Sequence, residues 1–388
     1  MNKKLLKKII RKIPGLSGTA KVFYDWRQEK RLMSRVNSFL KKDSLPFKDI
    51  APSKYSVGYE PTIRCNLRCK MCYQGENRNL RQAELGKEET LSVFEKLKDK
   101  TEEIKLVGGE PFARQDILEL IAFWDRAKKR IILQTNCTLI NDANIVNIKD
   151  FKYVSDILTS LDGPQEVHDA IRGVPGAFDK LKRALNLIHI YRPDISFTVF
   201  ATMLIHDNLD KLFELVDTAK KLGLGTINIL FEQVYSSANL GQVQDIFKNV
   251  FGWAVGQDYR LNTQIRQPIF PPDLNLPAIK KKLAAVRRYG LKRGCFVNFT
   301  PFNYYQHLEH YFGQKEGKVF CLKLLEPELR INQQGEVIWC DIIEKSFGSL
   351  LNHTPDEIWL SPEYQKFRQY LFKQSFPICS RCCKAVYI

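Results

Sequence analysis

Three of the chain's 10 cysteines fall within one short stretch, Cys65-Asn66-Leu67-Arg68-Cys69-Lys70-Met71-Cys72-Tyr73. The C-x3-C-x2-C spacing brings three thiolates to one point, and thiolates are soft ligands suited to iron, zinc or copper(I). A structural zinc site is normally closed by four protein ligands. An iron–sulfur cube can instead leave one iron open to a further molecule. Three cysteines with no fourth beside them therefore read as a reactive centre rather than a staple.

A second cysteine set lies near the C-terminus: Cys321, Cys340, Cys379, Cys382 and Cys383. The first two bracket a hairpin pattern, Leu329 to Trp339, whose flanks alternate and whose turn is Gln334-Gly335. The spacing is Cys-x13-Gly-x4-Cys, then a helical region, then a terminal Cys-x2-Cys-Cys. Four thiolates would close either a zinc site or a fully ligated iron–sulfur cube, and spacing alone leaves both open.

The elements that must position these residues alternate. Strand-like segments at 55–60, 103–107, 130–134, 156–160, 196–203 and 226–231 are separated by helical runs at 87–100, 117–128, 141–148, 178–191 and 208–222. Parallel neighbours need crossover helices, so six such repeats predict a parallel sheet. The expected class is α/β: a partial (β/α)6 TIM-type barrel, with chemistry at the C-terminal strand ends. Candidate motifs sit at those ends. They are Gly108-Gly109-Glu110-Pro111 after the second strand, Thr135-Asn136-Cys137 after the third and Ser160-Leu161-Asp162-Gly163 after the fourth. His168 and Arg172 follow, and Glu232 with Gln233 ends the sixth strand. A glycine pair lets backbone approach a ligand closely. A carboxylate accepts from an ammonium, and an arginine holds a carboxylate bidentately. Glu232 reads either as a base or clamp or as a solvated loop residue, and His168 as a residue holding its loop.

The cysteine loop followed by an aromatic, with the Gly-Gly-Glu-Pro segment and the strand-end serine and arginine, resembles radical S-adenosylmethionine (radical SAM) enzymes. The Cys-x13-Gly-x4-Cys segment resembles their C-terminal SPASM or shorter twitch domain. The resemblance implies a [4Fe-4S] cluster on Cys65, Cys69 and Cys72, whose open iron is chelated by S-adenosylmethionine. It places Tyr73, Gly108, Gly109 and Glu110 at the cofactor, and Ser160 and Arg172 at its carboxylate or ribose. It implies one auxiliary [4Fe-4S] cluster on Cys321, Cys340, Cys379 and Cys382, with Cys383 a rival for the last place. Cys137 stands where the family usually has glycine and is expected to be a buried small side chain. The implied activity is reductive cleavage of the cofactor to a 5′-deoxyadenosyl radical that abstracts hydrogen. The substrate would be oxidised or modified, and would be a peptide, a sugar or cyclitol, or a lipid-linked molecule. An electron donor such as flavodoxin or ferredoxin is implied.

The length of 388 residues accommodates this organisation: a basic helical extension at 1–50, the barrel core at 51–235, a loop and helix insertion at 236–316 that would shape a pocket, and the auxiliary domain at 317–388. Net charge is +17, but residues 1–50 carry 14 Lys/Arg against 4 Asp/Glu. The positive charge is thus concentrated at the N-terminus, which argues against a nucleic-acid groove. Residues 2–13 place Leu5, Leu6, Ile9, Ile10 and Ile13 on one helical face and lysines on the other. That pattern suits either an anionic membrane surface or docking on the protein itself. With no signal-like apolar core, clustered cysteines point to a cytoplasmic protein, peripheral on the inner membrane face if the helix binds lipid. The rival reading is a non-catalytic iron–sulfur carrier or zinc-stabilised binding protein at a membrane.

Overall fold

The computed structural model describes residues 30–42, 45, 49–75, 83–253, 264–265, 270, 273–301, 307–313 and 317–388. The basic amphipathic segment 2–13 lies outside them. No described helix is long and apolar enough to cross a membrane.

Seven strands run parallel: β1 (Tyr55–Tyr59), β2 (Thr101–Leu106), β3 (Arg130–Gln134), β4 (Val154–Ser160), β5 (Ser196–Met203), β6 (Thr226–Phe231) and β7 (Phe296–Thr300). Helices α1 (Lys87–Lys98), α2 (Ile117–Arg126), α3 (Asp142–Ile148), α4 (Gln165–Arg172), α5 (Ala177–Tyr191), α6 (Leu212–Lys221), α7 (Ser237–Ile246) and α8 (Leu276–Lys292) connect them. The six-strand expectation thus gains a seventh strand, in the stretch where the sequence carried no motif. Two helices are capped as their sequences require: Glu89 accepts from the Gly86 N–H at 2.9 Å, and Asn141 accepts from Ala143 and Asn144. Helix α2 buries Ile117, Leu120, Ile121 and Trp124 at helical spacing, which is the stripe that faces a sheet. Tyr59 of β1, Phe94 of α1 and Trp124 of α2 meet with ring centroids 5.1 and 4.9 Å apart, giving the sheet-to-helix layer a dense aromatic core.

On its other edge, β1 pairs in parallel with β9 (Glu328–Ile331). The expected hairpin is there: β9 turns at Gly335, whose φ of +74° suits glycine, into β10 (Glu336–Ile338), and β11 (Ser346–Ser349) completes the edge. The sheet order is β11-β10-β9-β1-β2-β3-β4-β5-β6-β7, so the hairpin that leads to Cys340 extends the barrel's own sheet. Strands β8 (Val319–Cys321) and β12 (Ala385–Tyr387) form a separate antiparallel pair. Helices α10 (Pro355–Leu360) and α11 (Pro362–Lys373) close this end, after the one-turn α9 (Leu308–Tyr311). Phe251, Trp253, Phe367 and Phe376 pack into one aromatic cluster, with Phe251 and Trp253 stacked at 4.4 Å. That cluster ties the segment after β6 to the C-terminal helices. The helix over residues 30–40 buries Val36 and Phe39, and Phe39 sits edge-on to Phe320 and Phe372.

Candidate active site

The Cys65–Cys72 loop leaves the C-terminal end of β1 and is held from two sides. From β2, Gly109 N–H donates to Thr62 O at 2.9 Å and Glu110 N–H to Arg64 O at 2.8 Å. A Cβ on Gly109 would stand 2.2 Å from Arg64 O and 2.4 Å from Ile63 O; one on Gly108 (φ +132°) would stand 2.6 Å from Thr62 O. The glycine pair is therefore required for two backbones to lie against each other. From the other side, the end of α4 accepts Arg68 N–H at Arg172 O (2.9 Å) and Lys70 N–H at Ile171 O (3.0 Å). Gly173 ends that helix at φ +69°, and its missing Cβ leaves room for Arg68 O.

Glu110 is wholly buried. One carboxylate oxygen accepts from the Thr135 hydroxyl (2.7 Å) and Phe112 N–H (3.1 Å), the other from Asn136 N–H (2.7 Å). Burial pushes it up to about 7 although all three donors favour the charged form. All three donors are neutral, and an ammonium beside it would supply the missing counter-charge. Cys137 sits at φ +64° in the turn that follows, fully buried, so the chain keeps the left-handed turn without the glycine. Burial pushes its thiol up to about 12.

Arg172 was placed by sequence at the cofactor; the structure gives its guanidinium to Asp162 and Cys69. Nε and Nη2 donate to the two oxygens of Asp162 at 2.6 and 3.0 Å, and Nη1 donates to Cys69 Sγ at 3.6 Å. Burial opposes the Asp162 charge, but Arg172 and His168 outweigh it and hold Asp162 down at about 2. His168 Nδ1 accepts from Asp162 N–H at 3.3 Å, in keeping with its expected loop-holding part. Ser160 ends β4 half-buried, its hydroxyl without a side-chain hydrogen bond among the described residues. Leu67 N–H donates to Cys65 Sγ at 3.4 Å, and burial pushes Cys65 up to about 12 in the absence of a metal.

The five C-terminal cysteines line one cavity together with Lys105 of β2 and Gln233 and Tyr235 beyond β6. Ile343 N–H donates to Cys340 Sγ at 3.4 Å and Lys384 N–H to Cys382 Sγ at 3.3 Å. Cys382 and Cys383 share a hydrogen bond that raises the first and lowers the second. Glu232 uses its carbonyl to accept from the Tyr311 hydroxyl at 2.5 Å.

Both cysteine sets suit a polynuclear cluster better than one zinc. A tetrahedral zinc with Zn–S near ~2.3 Å would draw its sulfurs to about 4 Å of each other. Among the described residues, the only three His, Cys, Asp or Glu ligand atoms found within 4.8 Å of one another are those of His307, Glu309 and His310. Neither cysteine set is drawn together that closely, and donors point at the sulfurs as an anionic cluster requires.

Sequence reasoning missed the connection between the two sets. Glu60, at the tip of β1 and fully buried, accepts from Tyr73 Oη at 3.3 Å and from Arg330 Nη2 at 2.5 Å. Arg330 Nε also lies 2.6 Å from Asp341 Oδ1, next to Cys340. The only sequence signal was an acidic residue at a strand end; its partner is 270 positions away. Lys105 was missed too, because a lysine in a strand reads as solvent-facing. Its ammonium is instead pulled down to about 8 by burial, with Lys384 and Arg330 nearby.

Comparison with known proteins gives this site its family. Residues 59–219 match the radical SAM superfamily, and residues 321–383 match the SPASM iron–sulfur cluster-binding domain. The chain is a radical SAM enzyme. It is 27% identical to the AdoMet-dependent heme synthase of Oleidesulfovibrio alaskensis, over 86% of this chain and 81% of that one. It is 30% identical to the mycofactocin maturase MftC of Mycolicibacterium smegmatis, over 42% of this chain and 41% of that one. Among solved structures, Streptococcus suis SuiB bound to S-adenosylmethionine superposes with a TM-score of 0.56 at 15% identity, covering 82% of this chain and 68% of that one. Native anSMEcpe with bound AdoMet gives 0.58 at 19% identity, covering 85% and 88%. These two share the fold. The cofactors of this radical SAM enzyme are S-adenosylmethionine and [4Fe-4S] clusters, which agrees with the donor chemistry of both cysteine sets.

Proposed function

We propose that this radical SAM enzyme oxidises its substrate by removing hydrogen from an unactivated C–H bond, with the cysteine cavity of the C-terminal domain serving as the electron outlet. What supports this most is that the five C-terminal cysteines line one cavity together with Lys105 of β2 and with Gln233 and Tyr235 beyond β6, so the second cysteine set opens onto barrel elements. Bound at Cys65, Cys69 and Cys72, the cluster and S-adenosylmethionine supply a 5′-deoxyadenosyl radical once an electron arrives from a donor of the flavodoxin or ferredoxin kind. Gly108 and Gly109 let the turn after β2 lie against the backbone that leads into the cysteine loop, which would hold that loop in place for the cluster. Glu110, buried among neutral donors, receives the cofactor's ammonium, and Ser160 offers a hydroxyl from β4. Tyr73, tied to Glu60, sets the exit of the loop. Arg172, clamped by Asp162, donates to the Cys69 thiolate. Cys321, Cys340, Cys379 and Cys382 hold the auxiliary cluster. Cys382, rather than Cys383, is the fourth ligand, because it accepts a backbone N–H from two residues ahead, as Cys65 does from Leu67.

The substrate is a peptide, a reading supported by relatives named as a mycofactocin maturase and a subtilosin biosynthesis protein. A second reading, a tetrapyrrole side chain, is favoured by the relatives that match over more than four-fifths of this chain, which are named AdoMet-dependent heme synthase. The test is anaerobic turnover with a precursor peptide encoded beside the gene and, separately, with Fe-coproporphyrin III. Substrate-dependent 5′-deoxyadenosine release with a peptide product lighter by two hydrogens is expected. Turnover of the porphyrin alone would replace the first reading with the second.

A further inference from the structure

The cavity walled by the auxiliary cysteines holds a cation that belongs to the barrel. Lys105 stands on β2, half-buried, with its side chain lining this cavity. Among the described residues its ammonium makes no hydrogen bond and no ion pair. Its cationic neighbours differ: Lys323 is paired with Glu328 at 3.0 Å, and Arg330 with Glu60 and Asp341 at 2.5 and 2.6 Å. Lys384 lines the cavity too, but is exposed. An ammonium partly withdrawn from water with no bonded counter-charge is unfavourable, and an anion brought to it relieves that cost. The carboxylates that face Lys105 here, Glu328 and Asp341, are already engaged by Lys323 and Arg330. The anion these walls are built for is the cluster itself. An oxidised cube carrying four thiolates has a net charge of −2, and Lys105 lines this cavity with no carboxylate bonded to it among the described residues.

We propose that Lys105 is a positioning residue for electron transfer: a barrel-borne cation that faces the auxiliary cluster and sets its reduction potential. This rests on the auxiliary-cluster reading above. A positive charge beside the cluster stabilises its more negative, reduced form and so raises the potential, by the same physics through which net charge and hydrogen bonding spread the potentials of iron–sulfur proteins. The position of Lys105 also gives the barrel a hold on both centres. Three residues further along the chain, roughly 10 Å at strand rise, Gly108 lies in the turn after β2 that presses on the backbone leading into the Cys65 loop. The strand and its following turn thus touch both the loop where the radical would form and the cavity where the electron would leave.

The test is potentiometric titration, followed by electron paramagnetic resonance, of the anaerobically reconstituted full chain as wild type, Lys105→Met, Lys105→Gln and Lys105→Arg, with iron counted in each. The signal altered by added S-adenosylmethionine identifies the first cluster, leaving the other as auxiliary. The expected result is a more negative auxiliary potential in the Met and Gln variants, restored in the Arg variant, with the first cluster's potential unchanged throughout. Loss of auxiliary iron in Met and Gln but not in Arg also supports the charge. Equal auxiliary potentials in all four proteins at full iron content would overturn it, as would auxiliary iron lost in Arg as well, which makes the role one of shape. A wild type holding a single cluster removes the auxiliary-cluster reading itself, an outcome distinct from both.

Discussion

Replacing Arg172 with Met tests whether the Asp162–Arg172 pair anchors the cysteine loop. Asp162 is fully buried and Arg172 almost so, joined by two hydrogen bonds of 2.6 and 3.0 Å. Holding Asp162 at about 2 rather than near its ordinary value corresponds to about 2 kcal/mol. Breaking a buried pair from one side costs more, about 3–5 kcal/mol, because the remaining charge is stranded. With an unfolding entropy near 2.1 cal/mol/K per residue, ~4 kcal/mol lowers the Tm of a cooperative unit of this chain's size by roughly 5 °C. Asp162→Asn in the same background should recover much of that loss, since no stranded carboxylate remains. The pH dependence separates this from a simple packing defect. In the wild type the depressed Asp162 contributes stability above its ordinary pKa, lost only as pH falls toward 2. In Arg172→Met burial is opposed only by His168 and the Thr202 N–H, so Asp162 rises and the deficit grows as pH rises through its new value. Thermal unfolding of wild type, both single variants and the double variant at pH 5 and pH 8 gives the full cycle. An Arg172→Met deficit that is equal at both pH values, or unrelieved in the double variant, would refute the reasoning.

Three further outcomes follow from the site. Gly109→Ala places a Cβ 2.2–2.6 Å from the Ile63 and Arg64 backbone, so the cysteine loop must shift; iron at the first site should fall while the auxiliary iron remains, as read by iron counts and Mössbauer spectra. Glu110→Gln removes a carboxyl raised to about 7, whose favourable term is full below its unfolded pKa and lost as pH rises through 7. The Gln variant should therefore gain stability relative to wild type as pH goes from 5 to 8, by up to about 3 kcal/mol, while binding S-adenosylmethionine at least tenfold more weakly in calorimetry. Cys382→Ala should lose the auxiliary cluster and Cys383→Ala should keep it; the reverse pattern in iron counts would exchange their roles.

The cysteine spacing, the glycine-rich turn and the βα alternation were legible because each is local. Cys65 to Cys72 lie on one loop, and a period of strand and helix needs only neighbouring residues to be read. The contacts that organise the site around them were not, since they join distant positions. Glu60 meets Arg330 only because β9 pairs in parallel with β1, and nothing near either residue announces that pairing. Strand β7 escaped because Phe296–Thr300 is a five-residue strand that follows a 17-residue helix and a proline-rich stretch. Even the legible glycines carry a second meaning: they give the loop backbone room as well as a ligand. Lys105 was hidden by the rule that strand lysines face water, which fails where the C-terminal cysteines wall a cavity against β2.

The central claim is that Cys65, Cys69 and Cys72 hold a cluster that cleaves S-adenosylmethionine. The direct measurement is 5′-deoxyadenosine released by the anaerobically reconstituted chain with dithionite and S-adenosylmethionine, compared with Cys69→Ala. The wild type should release it and the variant should not, while the variant keeps its fold and its auxiliary iron. Undiminished release by Cys69→Ala, or no release by a wild type carrying both clusters, would contradict it.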